Sequence, residues 1–128
     1  MLYVEDDPSC VAVMQAALGL RPDVELRTAP SAAAGAKMLA ADDVDLVLLD
    51  IGLPDRSGWD LLGDIRAGQP DLPVIVLTAN AESVPDGAPR HDRLFTKPLD
   101  IGDALGAIDL MLSAAPRHGV GELLDPVE

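Results

Sequence analysis

The sequence predicts an α/β domain of the doubly wound kind, a five-stranded parallel sheet with helices on both faces. Three observations carry this. Short apolar runs alternate with helix-patterned segments along the chain, the rhythm of βαβ units with right-handed crossovers. Two of the strand runs, VDLVLL (44–49) and PVIVLT (73–78), are almost continuously apolar, as strands covered on both faces are. The length, 128 residues, is that of one domain and sufficient for a core without disulfides or metal staples.

The elements follow in order. MLYV (1–4) is a short strand ending at the acidic run EDD. DPSCVAVMQAALGL (7–20) puts Val11, Met14 and Leu18 on one helical face, with Asp7 as N-cap and Pro8 at the first helical position. VELRT (24–28) alternates and reads as the second strand. SAAAGAKMLAA (31–41) is a helix opened by Ser31, and its alanines let it lie close to a sheet. VDLVLL (44–49) is the third strand, and GWDLLGDIRAG (58–68) a helix with Leu61, Leu62 and Ile65 inward. PVIVLT (73–78) is the fourth strand. NAESVPDGAPRHD (80–92) is polar and carries Pro85, Gly87 and Pro89, so the fourth helix is expected to be short or irregular. RLFT (93–96) is the fifth strand, and residues 100–115 a helix with Ile101, Leu105, Ile108 and Leu112 on one stripe. The tail 116–128 has no evident place in the core, and no output domain is expected there.

Composition narrows the functional classes. With 22 acidic against 9 basic residues the net charge is −13, which argues against direct nucleic-acid binding, since phosphate backbones need Lys and Arg to displace counterions. The core is aliphatic, with one Phe, one Tyr and one Trp. No apolar run approaches the roughly 18 residues of a membrane span, and no basic-then-apolar leader opens the chain, so a cytoplasmic protein is expected. Cys10 has no internal partner and reads as a small buried hydrophobe on a helix. His91 and His118 lie in polar segments without ligand spacing and read as surface residues.

Sites in parallel sheets sit at the carboxyl ends of the strands. Glu5, Asp6 and Asp7 follow the first strand, Asp50 the third, Thr78 the fourth, and Lys97-Pro98 the fifth. With the first strand beside the third, the carboxylates converge. Two of them about 4 Å apart repel by roughly 4 kcal/mol at an effective dielectric near 20. Such a cluster calls for a cation, and an all-oxygen set favours Mg²⁺. Asp7 reads as a cap rather than a ligand, because Pro8 follows it. Each remaining residue alone is weak evidence; their order at successive strand ends is not.

This pattern resembles the receiver domain of two-component response regulators, of the chemotaxis-receiver-like kind, over residues 1–115. The resemblance implies a flavodoxin-like sheet of order 2-1-3-4-5. It makes Asp50 the phosphoacceptor, and Asp6, Asp50 and the backbone carbonyl of Gly52 the ligands of Mg²⁺, with Glu5 acting through water. Thr78 becomes the switch hydroxyl and Lys97 the cation for a phosphoryl oxygen, before a cis-configured proline. Pro54 and Gly58 match the turn after the acceptor. The implied donor is a histidine kinase or histidine phosphotransfer protein, the implied output a change in protein–protein interactions. Such a module catalyses its own phosphorylation and dephosphorylation and turns over no free substrate.

Two departures bear on output. The segment between Thr78 and Lys97 is shorter than is usual in the family and contains two prolines. Leu94 stands where many receivers carry a switch aromatic, and Phe95, next along the strand, faces the other way. Reordering of residues 79–92 is then the expected switch. Gly52 leaves the acceptor open to water, which predicts a short-lived phosphoryl group. Two alternatives stay open: a pseudo-receiver that only binds proteins, and a phosphatase of the haloacid dehalogenase type. The latter wants an acid two residues after the nucleophile, where Gly52 stands. Nucleotide hydrolysis lacks a P-loop.

Overall fold

The computed structural model describes residues 1–80, 82 and 84–114. The tail 116–128, with His118, lies outside them. Five parallel strands form one sheet in the order β2-β1-β3-β4-β5. They are β1 (Leu2–Val4), β2 (Arg27–Ala29), β3 (Val47–Asp50), β4 (Val74–Thr78) and β5 (Arg93–Thr96). The helices are α1 (Pro8–Leu18), α2 (Ala32–Ala41), α3 (Gly58–Gly68) and α4 (Ile101–Ala114). Between β4 and β5 no α-helix occurs among the described residues, as the prolines predicted.

The two-residue period of the strands divides the core in two. Leu2, Val4, Val47, Leu49, Val74 and Val76 point to one face, where α2 and α3 cover them with Ala32, Leu39, Leu61, Leu62 and Ile65. Tyr3, Leu46, Leu48, Ile75 and Leu77 point to the other, under Met14 and Leu18 of α1 and Ala107 and Ile108 of α4. Each fully buried aliphatic side chain contributes about 2 kcal/mol, which offsets the cost of gathering charge at one edge. Alanine-rich α2 packs so closely that a Cβ at Gly35 would come within 3.0 Å of Val4 Cγ2.

Helix starts match the sequence reading. Asp7 accepts from the Ser9 N–H at 2.8 Å and Ser31 from the Ala34 N–H at 3.1 Å, satisfying donors that have no partner within the helix. The Ser9 hydrogen bond holds the Asp7 carboxyl below the usual carboxylate range.

The first and fourth strands each start one residue later than expected, and two others differ by more. The second strand, expected at 24–28, is Arg27–Ala29, in register with Leu2–Val4. Residues 24–26 lie upstream of the Leu2–Arg27 pair that starts the register; Met1 still meets this stretch, its amine donating to Glu25 O at 2.8 Å and its carbonyl accepting from Arg27 N at 2.9 Å. The third strand, expected at 44–49, is Val47–Asp50, so Asp50 is its last residue rather than the first beyond it. Leu94 and Phe95 do face opposite sides. Leu94 packs in the α2/α3 core and Phe95 in the α1/α4 core, with the Arg93 guanidinium 5.0 Å from the Phe95 ring centre. His91 is not simply on the surface. It is half-buried, its ring edge against Trp59 at 5.5 Å between centroids and its Nδ1 3.1 Å from Pro89 O.

Candidate functional site

The site grows out of strand parity. Glu5 follows Tyr3, Asp50 follows Leu48 and Lys97 follows Phe95, each by two residues, so all three inherit the α1/α4 face at the carboxyl edge of the sheet. Adjacent pairing of β1 and β3 then brings Glu5 beside Asp50. Oxygens of Glu5, Asp6 and Asp50 lie within 4.8 Å of one another. Glu5 and Asp50 are buried, with 2% and 5% exposure, and Asp6 is open to solvent.

Lys97 Nζ donates to Glu5 Oε1 at 2.7 Å and stands 3.5 Å from Asp50 Oδ2. Burial works against its ammonium, but the Glu5 hydrogen bond and the Asp50 charge outweigh it and hold the pKa above the ordinary lysine value. The Lys97–Pro98 peptide is cis. Glu5 has two further donors: the Tyr3 hydroxyl at 3.0 Å to Oε1 and the Asp7 N–H at 3.3 Å to Oε2. Burial and then the Glu5 charge push the Tyr3 phenol far upward, so it remains a donor. Cys10, half-buried, has its thiol pushed up by burial and is not a poised nucleophile.

The turn after β3 is fixed by backbone. Ile51 O accepts from both Leu53 N and Gly58 N, at 3.0 and 2.9 Å, while Ile51 N donates to Leu77 O at 3.0 Å. A Cβ at Gly58 would lie 2.5 Å from Asp50 O and 2.7 Å from Ile51 Cα, so only glycine lets α3 start this close to the end of β3. Gly52 N donates to Asp50 Oδ1 at 3.2 Å, and the space beside Gly52 is empty for 4 Å. Both Asp50 oxygens thus have a partner: Gly52 N–H on one, Lys97 on the other.

Thr78 ends β4, paired with Thr96, and is buried. Its hydroxyl donates to Asn80 O and accepts from Asn80 N, both at 3.3 Å, so it engages the backbone of its own turn. Its parity is that of Val74 and Val76, opposite to Asp50.

Two contributors escaped the sequence reading. Tyr3 was legible only as a strand residue, although its spacing of two from Glu5 was a usable signal. Asp55 receives the Ala32 and Ala33 N–H groups at 2.9 and 2.8 Å, tying the turn after β3 to the start of α2. Its partners are 22 and 23 residues away, and no spacing rule reaches that far.

The donor set fits a hard divalent cation. Three carboxylates this close repel by about 3 kcal/mol per pair at an effective dielectric of 20, and one lysine bound first to Glu5 offsets only part of that. All ligand atoms on offer are oxygen, the preference of Mg²⁺. No helix of the described residues is long and apolar enough to cross a membrane.

Comparison with known proteins agrees with this geometry. The chain is 36% identical over 116 residues to the transcriptional regulatory protein GlrR of Escherichia coli, covering 85% of this chain and 25% of that protein. It is 34% identical to the transcriptional regulatory protein KdpE of Mycobacterium tuberculosis, over 99% of this chain and 56% of that one. The chain therefore spans a quarter to about half of these relatives. Among solved structures, a receiver domain protein of Methanospirillum hungatei matches with a TM-score of 0.78 at 27% identity, covering 88% of this chain and 91% of that one. The response regulator TrrA of Thermotoga maritima, solved in complex with Mg²⁺-BeF, matches at 0.77 and 26%, covering 87% and 96%. The family model of the response regulator receiver domain matches residues 1–108, and with the sheet order and the acidic cluster it settles the assignment: this chain belongs to the response regulator receiver domain family.

Proposed function

We propose that the chain is a phosphoacceptor: Asp50 takes a phosphoryl group from a histidine kinase or histidine phosphotransfer protein in a Mg²⁺-dependent reaction. The observation that carries this reading is the convergence of Glu5, Asp6, Asp50 and Lys97 at one sheet edge.

Asp6, Asp50 and the Gly52 carbonyl would hold the ion, with Glu5 behind them. Bound there, Mg²⁺ would neutralise the carboxylates and the incoming phosphoryl oxygens. The chain's own groups do the rest. Asp50, anchored by β3 and the Gly52 N–H, presents a carboxylate oxygen that bonds to phosphorus as the donor P–N bond breaks. The bonding pair leaves with the imidazole nitrogen. Lys97, 3.5 Å from Asp50 Oδ2, is near enough to meet a phosphoryl oxygen after a small shift. Thr78 would turn its hydroxyl from Asn80 toward the same group. Water attacking phosphorus, through the open space beside Gly52, would release inorganic phosphate and restore the carboxylate.

The complex of TrrA with Mg²⁺-BeF supports carrying this chemistry across, since beryllium fluoride imitates a phosphoryl group. An apolar cavity of about 290 Å³ beside Lys97, lined by Cys10, Val13, Met14 and Pro98, offers a helical donor a surface next to the acceptor. The output would be altered contacts with a downstream protein, through residues 79–92. A phosphatase of the dehalogenase type is disfavoured by Gly52, which carries no acid.

Intact-mass analysis after incubation with phosphoramidate, which has the same P–N bond, tests this. One added phosphoryl mass is expected with Mg²⁺, and none after chelation or in Asp50→Asn. An unchanged mass in the wild type would leave the chain a pseudo-receiver.

A further inference from the structure

Tyr3 is buried on the sheet face that holds the site, with 1% of its surface exposed, and its hydroxyl has one protein acceptor: Glu5 Oε1, at 3.0 Å. That same oxygen takes the Lys97 ammonium at 2.7 Å. We infer that Tyr3 is a positioning residue for phosphoryl transfer, holding Glu5 in place so that Lys97 can leave it for the phosphoryl group. The inference rests on the proposed phosphoacceptor chemistry and assigns a role within it to a residue outside the acceptor, metal and switch set.

The argument is one of satisfied charges. Lys97 rests nearer Glu5 than Asp50, by 2.7 against 3.5 Å, so service to a phosphoryl group means loosening its bond to Glu5. Glu5 is 2% exposed, so away from the ion site its carboxylate depends on protein donors when the ammonium departs. A buried carboxylate that loses its donors costs more than the hydrogen bond itself was worth. The Tyr3 hydroxyl stays on Oε1 and the Asp7 N–H on Oε2, so the carboxylate keeps one donor on each oxygen while the lysine moves. Tyr3 comes from the middle of β1, paired on both sides to β2 and β3, so two ladders hold its backbone and burial holds its ring. A phenol suits this place. It donates from the buried face at 3.0 Å and brings no ammonium or guanidinium of its own to a site already crowded with charge.

Tyr3→Phe keeps the ring and removes only the hydroxyl. The rate constant of phosphorylation at saturating phosphoramidate should fall about tenfold, the scale of a hydrogen bond to a charged group, while the half-saturating Mg²⁺ concentration stays the same. In a Lys97→Ala background the same change should have no further effect, because no lysine remains to move; a merely structural tyrosine would slow both backgrounds alike. Tyr3 is the chain's single tyrosine, so uniform 3-fluorotyrosine labelling reports on it alone, in a protein that keeps the hydroxyl. Its ¹⁹F resonance should shift when Mg²⁺ and beryllium fluoride are added to the wild type, and much less in Lys97→Ala. Equal phosphorylation rates in wild type and Tyr3→Phe, or a ¹⁹F signal indifferent to beryllium fluoride, overturn the role of Tyr3 and leave the phosphoacceptor reading standing. A wild type that takes no phosphoryl group overturns both.

Discussion

The Lys97 ammonium donates to Glu5 Oε1 at 2.7 Å, an ion pair in which the carboxylate is almost wholly buried and the lysine half-buried. Removing one member of such a pair strands the other. Complete burial puts that cost at several kcal/mol; the donors left by Tyr3 and Asp7 and the partial exposure of Lys97 reduce it. Lys97→Ala is expected to lose about 2 kcal/mol in urea unfolding. Mg²⁺ should recover part of this, since the carboxylates that hold it are intact, and chelation should abolish the recovery. An unchanged midpoint in the variant would remove the pair from the stability account.

Gly58 and Gly52 flank the same turn and should respond oppositely to alanine. At Gly58 the added Cβ meets backbone at 2.5 and 2.7 Å, which forces α3 and the end of β3 apart. A loss of about 1–3 kcal/mol is expected, together with slower phosphorylation. At Gly52 the space is open, so stability should hold. Larger side chains there should lengthen the phosphoryl lifetime by obstructing water. Wild-type phosphorylation that persists for many hours at neutral pH with Mg²⁺ would contradict the open path.

Asp55 makes stability depend on pH. The Ala32 and Ala33 N–H groups hold its carboxyl below the ordinary aspartate value. A depressed pKa in the folded state contributes stability that is fully present above the unfolded value, near 3.9, and is lost as pH falls through the lower folded value. Asp55→Asn should therefore be less stable than wild type at pH 7, and the gap should narrow as the pH falls below the unfolded value and through the lower folded one. Urea midpoints measured across that range decide it; a pH-independent gap would mean that the carboxylate charge is not what ties the turn to α2.

Trp59 should report the switch. It is the chain's single tryptophan, it packs in the core that contains Leu94, and its ring meets His91 of the β4–β5 segment. If phosphorylation reorders residues 79–92, Mg²⁺ with beryllium fluoride should change Trp59 emission, and Asp50→Asn should abolish the change. Emission indifferent to beryllium fluoride, in a protein shown by mass to accept phosphoryl groups, would place the output elsewhere.

Much of this was legible in the sequence because it follows from periodicity. Their places at successive strand ends gathered Glu5, Asp50 and Lys97 at one edge, and uninterrupted apolar runs identified β3 and β4 as interior strands. Caps at Asp7 and Ser31 were equally plain, since a helix start is a local event. What the sequence hid was set by partners. The extent of β2 depends on its register against β1, which no property of VELRT encodes. His91 lies in a polar stretch, yet Trp59, 32 positions away, draws it half inside. Asp55 and Tyr3 gain their meaning only when the turn meets α2 and when Lys97 arrives at Glu5.

The account stands on Asp50 as the atom-bearing acceptor, and reductive trapping reads that directly. An acyl phosphate on aspartate is reduced by borohydride to homoserine, which peptide mass spectrometry can place in the chain. After incubation with phosphoramidate and Mg²⁺, homoserine is expected at position 50 and at no other aspartate. Homoserine elsewhere, or none from a protein that has gained a phosphoryl mass, would contradict the account.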